Sequence, residues 1–411
     1  MRNSFAKKLG MSLAAFGLVA ASMFTVQDAE AVPAFARQTG MPCNACHFQQ
    51  FPALNAMGRS FLSGGYTMEG TQASIEGENA MKLPDTLNMS AISKIRHVST
   101  NETGDDVGEI QWPDEAALLV GGRASANAGF LWELGLDAEH EGGSPEFLST
   151  KYHFLAANSG DIQFSVIPYA TDGLGALYGY DTFNTASKRS QRPMENRKAM
   201  SAYQATGIGS GEATGIALVA SSASWFVNYS AWGPVWGGGD ADFSGLAALI
   251  RAGYFMDVAG LELGLGLTSM SGKVTTEADN AVENDTFDIG VGATGIDIQL
   301  QGDLAGMPVG LWVTNVTVPK SSSATDSNYY NSSTTDDMTS TAFAVKAMVM
   351  PELGAYYASS SVTTADTTTY GTIGIAYNIA QNIRLDVMQN TSKAGDADAV
   401  SEQMFSLFSG F

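Results

Sequence analysis

The stretch LAALIRAGYFMDVAGLELGLGLT, residues 246–268, decides the fold. Each half alternates apolar residues with small or polar ones, and a short turn at Asp257–Gly260 separates the halves. Alternation with a period of two indicates β-strands, and two such strands joined by a short turn form a hairpin. We expect the apolar positions of the two halves to pair on one face: Leu246, Ala248, Ile250, Ala252 and Tyr254 with Leu261, Leu263, Leu265 and Leu267.

Segments of the same kind recur from about Met89 to the C-terminus. Further predicted strands contain residues 130–136, 287–291, 373–377 and 383–387. Strands of about 9–11 residues would number between about 14 and 18 over this length, and single-chain bacterial barrels have even strand numbers. We therefore predict an all-β, antiparallel transmembrane β-barrel of about 16 strands.

Three features favour a membrane barrel over a soluble β-sandwich, which would show similar alternation. Phe405, Leu407 and the terminal Phe411 give the last segment an apolar face and an aromatic end, as in the C-terminal strands of outer-membrane barrels. Polar stretches at 101–114, 271–285 and 319–340 alternate with short turns and are predicted extracellular loops. Aromatic residues near predicted strand ends fit interfacial girdles: Trp225, Tyr229, Trp232, Tyr356 and Tyr357.

The N-terminus has the layout of an export signal. Basic residues precede an apolar run at 9–24, and Ala29, Glu30 and Ala31 form a small-x-small cleavage site. We expect residues 1–31 to be a signal peptide, because the run is too short for a comfortable span; the alternative is an uncleaved anchor. No later run reaches the roughly 20 apolar residues of a transmembrane helix, so a membrane-embedded mature chain must be a closed barrel.

The charge balance narrows the function classes. The chain of 411 residues carries 21 basic and 42 acidic residues, a formal net charge of −21, which excludes nucleic acid as a partner. The acidic residues either solvate extracellular loops or attract cations. The sequence contains no phosphate-binding loop, no G-x-S-x-G elbow and no H-E-x-x-H motif, so hydrolysis and group transfer have no support.

Residues 32–87 do not alternate and contain both cysteines of the chain, Cys43 and Cys46, followed directly by His47. C-x-x-C-H is the haem-attachment pattern: two thiols about one helical turn apart add to one haem, and the adjacent imidazole ligates the iron. A disulfide scaffold needs more cysteines, zinc needs a second ligand pair, and a thioredoxin-type pair needs a βαβ context. We predict one covalent haem c in a segment with one or two short helices.

A segment this small builds little core of its own, so we expect it to plug or cap the barrel, residues 88–411. The iron then needs a sixth ligand or an open position. His97, at the end of the first predicted strand, is the favoured metal ligand because a lumen-facing imidazole there could reach the haem. The other candidates are His140, His153, Met41, Met57, Met68, Met81 and Met89.

The region from Pro33 to Tyr66 resembles the fused cytochrome-porin family of outer-membrane iron oxidases. The resemblance is carried by PAFARQTGM (33–41), CNACH (43–47), FPAL (51–54), GRSF (58–61) and GY (65–66). Over the barrel it is only architectural. Leu62 occupies a position at which we associate the family with a basic residue. The resemblance implies that Cys43 and Cys46 attach haem, that His47 ligates the iron, and that Arg37, Gln38, Arg59 and Tyr66 belong to the haem pocket.

The resemblance also implies a function. A monomeric protein, embedded in the lipid and lipopolysaccharide of a Gram-negative outer membrane, would transfer electrons from an extracellular donor such as ferrous iron through one haem to a periplasmic cytochrome. It would be an electron-transfer protein or an oxidoreductase of the Fe(II) oxidase kind. Two alternatives stay open: a transport porin with a structural or sensory haem, and a soluble periplasmic monohaem cytochrome.

One basic segment has two interpretations. Five cations lie within residues 188–198, namely Lys188, Arg189, Arg192, Arg197 and Lys198. As an exposed loop they would bind lipopolysaccharide phosphates; folded inward, they would pair with haem propionates or shape the channel.

Overall fold

The computed structural model describes residues 33–75, 77, 83–101, 108–136, 146–198, 201–235, 243–277, 286–323, 326–380 and 382–411. Its α-helices are α1 (Pro33–Thr39), α2 (Ala56–Ser63) and α3 (Ala202–Ala205), and 3-10 turns span Cys43–Ala45, Ala176–Tyr178 and Arg189–Gln191. None of the helices in these ranges is both long and apolar enough to cross a membrane.

The strands of the described ranges are numbered in chain order. They are β1 (Ser74–Ile75), β2 (Leu83–Pro84), β3 (Met89–Thr100), β4 (Glu109–Ser125), β5 (Ala128–Gly135), β6 (Glu146–Ser159), β7 (Ile162–Thr171), β8 (Ala213–Ser221), β9 (Trp225–Gly233), β10 (Phe243–Ser244), β11 (Ala247–Val258), β12 (Leu261–Ser271), β13 (Lys273–Glu277), β14 (Thr286–Gly290), β15 (Ala293–Leu304), β16 (Met307–Val318), β17 (Asp326–Asn328), β18 (Met338–Met350), β19 (Leu353–Thr363), β20 (Thr367–Ala380), β21 (Ile383–Ala394) and β22 (Val400–Gly410).

Sixteen of these strands form one closed antiparallel barrel, which confirms the predicted all-β barrel and its strand number. The barrel closes where β22 pairs with β3, with Gly410 opposite Ile92 and Phe405 opposite His97. Closure removes the unpaired edges that an open sheet would expose. Outside the barrel, β1 pairs with β2, and β10, β13, β14 and β17 form a small four-stranded sheet.

The hairpin predicted from residues 246–268 is present as β11 and β12, with Tyr254 opposite Leu265 and Ala252 opposite Leu267. Leu265 and Tyr254 are exposed on the outer face, whereas Arg251 on the alternate face is fully buried. The apolar positions therefore face outward and the polar ones face the lumen, as in a membrane barrel.

Two sequence predictions about loops and strands need correction. Residues 287–291 fall largely on β14, which belongs to the small sheet and not to the barrel wall. Alternation with a period of two cannot distinguish a wall strand from a strand in a loop extension. The predicted loop at 101–114 is shorter, because β4 already begins at Glu109; residues 102–107 lie outside the described ranges.

The two ends of the barrel differ. Short turns at 126–127, 160–161, 222–224, 259–260, 305–306 and 351–352 join strands at one end, where β3 begins and β22 ends. We call this the short-turn end. The connection between β7 and β8, residues 172–212, starts from the opposite end, which we call the long-loop end, and folds into the lumen, where Leu177, Tyr180 and Phe183 are buried.

The N-terminal segment lies in the barrel mouth at the short-turn end. Three of its contacts reach the first residues of wall strands there: Arg37 bonds to Met89 of β3, Arg59 pairs with Glu262 of β12, and Gln49 bonds to Pro308 of β16. Phe61, Leu62 and Tyr66 share one hydrophobic cluster with the inward connection and the wall. The lumen is thus filled by two parts of the same chain.

Candidate functional site

The C-x-x-C-H motif forms a tight turn. Cys43 begins the 3-10 turn, and its carbonyl accepts bonds from the amides of Cys46 at 3.1 Å and His47 at 2.8 Å. Neither cysteine is in a disulfide; Cys43 is buried and Cys46 is half-buried. The turn therefore holds both thiols and the imidazole within one short unit of backbone.

The His47 ring is oriented by its own backbone neighbourhood. Its Nδ1 lies 3.1 Å from the carbonyl oxygen of Ala53, which makes Nδ1 the donor and leaves Nε2 as the unprotonated nitrogen. Metal-ligating histidines characteristically make this kind of second hydrogen bond. Burial lowers the pKa of His47 below its ordinary value, so the imidazole is neutral, the form that binds a metal.

A cavity of about 550 Å³ adjoins this turn at the short-turn end. Its volume lies within the range of about 300–1,000 Å³ that is usual for ligand and cofactor sites. It is lined by groups from the motif, from the following loop and from the ends of barrel strands, including Cys43, His47, Phe51, Met307, Met348, Met350, Arg384 and Phe408.

These residues fit a covalently attached haem. Two cysteines outside any disulfide and an imidazole belong to one turn, and Cys43 and His47 of that turn line a cavity of suitable volume, which is what the attachment chemistry needs. Cys43 and Cys46 would hold the porphyrin edge and His47 the iron.

The loop after the motif is clamped to the wall. The Gln49 side chain donates to the carbonyls of Pro308 and Lys346, both at 3.0 Å. Phe51 stacks on Phe408 of β22 with ring centroids 6.0 Å apart and lies 5.5 Å from the His47 ring.

A further contact joins this loop to the inward connection. Asn184 accepts from the Leu54 amide at 2.8 Å and donates to the Leu54 carbonyl at 2.7 Å. The position of the motif is therefore set by wall and connection together.

None of the four residues carried over by resemblance as haem-pocket residues lines this cavity. Arg37 donates to the Met89 carbonyl. Gln38 is buried, and its side-chain amide donates to the carbonyls of Tyr66 and Met68. Arg59 pairs with Glu262 and lies over the Phe255 ring. Tyr66 stacks on Phe35 at 5.1 Å. They fasten the segment internally and to the barrel, and their membership of a haem pocket stays a prediction.

The expected lumen-facing His97 is also corrected. His97 lies 6.1 Å from the outward-facing Phe405 ring, whereas its strand neighbours Lys94 and Arg96 are buried on the lumen side. Successive residues of a strand face opposite sides of the sheet. The positions of Lys94 and Arg96 therefore already indicated that His97 faces the other side. The imidazole therefore points away from the motif.

The other predicted sixth ligands do not line the His47 cavity. His153 is buried between Tyr66 and Tyr180, with ring centroids 6.3 and 6.2 Å away. Met89 is exposed, and Met68 lines a separate cavity beside Gln38. Met41 and Met57 are half-buried in the N-terminal segment, away from the cavity lining. His140 and Met81 lie outside the described residues.

A second cavity, of about 480 Å³, extends along the lumen. It runs from Phe408 near the short-turn end to Asp172, which directly follows β7 at the long-loop end. Phe51, Arg384 and Phe408 line both cavities and so form a partition between them. Its charged lining residues are Lys94, Asp114, Glu115, Glu133, Asp172, Arg189, Arg192, Glu195, Arg197 and Arg384.

The basic segment at 188–198 is folded inward. Lys188 is buried and donates to the Asp181 carbonyl at 3.1 Å, Arg197 pairs with Asp114 at 2.6 Å, and Lys198 pairs with Glu402 at 3.1 Å. These cations are therefore matched by carboxylates and carbonyls of the lumen, which agrees with the inward interpretation and not with an exposed loop.

Fold and site together define a class: a closed 16-stranded barrel of the porin type with its own N-terminal segment in the mouth. The sequence matches no protein-family model and no curated protein. The anion-selective porin from Comamonas acidovorans is similar in structure, with a TM-score of 0.51 and 12% identity over 79% of this chain and 99% of that one. OmpT of Vibrio cholerae has a TM-score of 0.49 and 10% identity over 82% and 100% of the chains. At such identity, the likeness to the Comamonas porin shows the barrel fold alone.

Proposed function

We propose that this chain is an outer-membrane electron-transfer protein. One c-type haem, attached to Cys43 and Cys46 and ligated by His47, would pass electrons from an extracellular donor such as ferrous iron to a periplasmic carrier. When bound, the haem supplies a one-electron couple. The observation that carries the proposal is the turn that places His47, whose Nδ1 donates to the Ala53 carbonyl, directly after two cysteines outside any disulfide.

The barrel supports a division between two sides. Outer-membrane barrels have short turns on the periplasmic side and longer loops outside. The His47 cavity at the short-turn end would then face the periplasm, where a soluble carrier can dock. The charged cavity would lead from the outer side to the partition of Phe51, Arg384 and Phe408. A small hydrated cation could reach that partition, while the filled lumen keeps oxidised product outside.

The residues of the partition have separate tasks in this proposal. Phe51 and Phe408 exclude water between the two cavities by stacking. Arg384 donates to the Phe51 carbonyl at 3.4 Å and is held by Asp386 at 3.1 Å. Its guanidinium, which lines both cavities, is a suitable partner for a haem propionate because guanidinium and carboxylate groups form charge-assisted hydrogen bonds.

Stopped-flow mixing of the purified full-length protein with ferrous ion tests the donor. We expect the visible spectrum to change from oxidised to reduced haem, and a Cys43→Ser/Cys46→Ser variant, which cannot attach haem, provides the blank. A Soret band that survives denaturation tests attachment separately. A haem that stays oxidised at every accessible pH eliminates ferrous iron as donor, and the absence of a Soret band eliminates the haem.

A second candidate is a transport porin in which the haem is structural or sensory. The charged lumen cavity favours it, since a lining of mixed charge is what an ion path needs. Planar-bilayer recording separates the two candidates. A steady, large and ion-selective conductance supports transport, whereas a barrel that serves electron transfer behind a filled lumen conducts little.

A further inference from the structure

We propose that Met348, on the barrel wall, supplies the sixth ligand of the haem iron; this rests on the haem attachment proposed above. The axial pair would then be built from two parts of the fold, the imidazole from the N-terminal segment and the thioether from β18. The sequence does not point to this pairing, because the two residues are far apart along the chain.

The fold brings Met348 to the motif. Lys346 and Met348 both face the lumen from β18, and the Lys346 carbonyl accepts the bond from Gln49, the second residue after His47. Gln49 also bonds to the Pro308 carbonyl of the paired strand β16. Both contacts hold the motif loop against the part of the wall that carries Met348, which lines the same cavity as His47.

The Met348 thioether is itself fixed. The side chain is 6% exposed, so the wall strands enclose it almost completely. A Cβ placed on Gly354, opposite Met348 in β19, would lie 3.0 Å from the Met348 sulfur. Glycine at this position therefore leaves room for the sulfur beside the neighbouring strand.

Two other methionines line the cavity and are poorer ligands. Met350 follows the irregularity in the β18–β19 pairing and is 51% exposed, so water competes for any position it could occupy. Met307 is the first residue of β16 and is half-buried next to the turn. A buried, pre-positioned thioether loses less conformational freedom on ligation than an exposed one.

Thioether ligation suits the proposed electron flow. Methionine in place of a second imidazole raises the reduction potential of a c-type haem. A higher potential allows the iron to accept electrons from a weak reductant. Ligation by a thioether also releases no proton, so this ligand adds no pH dependence of its own.

The test compares Met348→Leu with Met307→Leu and Met350→Leu in the full-length, haem-loaded protein. We expect wild type to show the near-infrared sulfur-to-iron charge-transfer band of the ferric state. Met348→Leu should lose this band and have a lower midpoint potential, and the two controls should keep both properties. Retention of the band in Met348→Leu, or its loss in a control instead, overturns the proposal.

Two further variants keep the test decisive if Met348→Leu fails to assemble. Met348→His should restore a six-coordinate spectrum without the sulfur band, and Gly354→Ala should shift the band by displacing the sulfur. An unchanged spectrum in both variants contradicts the ligation. A wild-type protein with covalent haem but no sulfur band refutes the Met348 ligand alone, whereas a protein without covalent haem refutes the proposed function.

Discussion

Replacement of Asn184 by alanine should loosen the motif loop, and it also removes the bond from Asn184 to the Gln301 side chain on β15. The Leu54 amide would lose its partner, and the Leu54 carbonyl would keep only the Gln301 amide at 3.3 Å. An unsatisfied, partly buried amide costs about 1–3 kcal/mol, and a lost hydrogen bond about 0.5–1.5 kcal/mol. The two costs add to about 1.5–4.5 kcal/mol. We take about 2 kcal/mol, so the equilibrium constant for local opening should rise roughly 30-fold.

Hydrogen exchange followed by mass spectrometry measures this opening in a fragment covering residues 48–58. In the regime where opening is reversible and fast, the exchange rate follows the opening equilibrium, so the fragment should exchange roughly 30-fold faster in Asn184→Ala. Asn315→Ala is the matched control, because Asn315 is exposed and bonds only between wall strands. Unchanged protection in Asn184→Ala, or an equal increase in the control, refutes the clamp.

Three further predictions concern charged groups in the lumen. Asp297→Asn removes a carboxylate from the fully buried Arg251, so the free energy of unfolding in micelles should fall by about 3 kcal/mol; a loss below about 1 kcal/mol would contradict this. Glu195→Gln leaves Lys94 with one partner fewer, so the reversal potential of any residual conductance should shift towards anions, and an unshifted potential would count against the charged cavity as an ion path. Burial lowers the pKa of Lys188 from 10.5 to about 8. The unfolded chain binds more protons between these values, so stability should rise with pH over that interval; Lys188→Met should abolish this part of the slope, and an identical slope in the variant would disprove it.

The barrel could be predicted because its determinants are local and repeated. In β11 and β12 the alternation placed the apolar positions on one shared face, and the turn at Ala259 and Gly260, both with positive φ, is predicted from neighbouring residues. Alternation carries no information on whether a strand belongs to the barrel wall or to a sheet in a loop extension. This is why residues 287–291 were predicted as a strand but not as part of a separate small sheet.

The candidate site likewise has one part that the sequence predicts and one part that it does not. The thiols and the imidazole belong to one turn, so their spacing was visible in the sequence as C-x-x-C-H. The sequence could not predict Met348 as a neighbour of the His47 cavity, because that placement depends on the strand register around the whole barrel and on the Gln49 contacts. The chain contains 18 methionines, and the sequence offers no signal that selects one of them. The wrong face of His97 was avoidable, since Lys94 and Arg96 already marked the lumen side.

The stacking of Phe51 on Phe408 has a consequence for biogenesis. Phe408 belongs to the strand that completes the cylinder by pairing with β3, yet its inward ring rests on the loop that carries His47. If the loop were still unfolded, β22 would pair with β3 before Phe51 could pack against Phe408. We therefore expect folding of the N-terminal loop to favour closure of the barrel between β22 and β3.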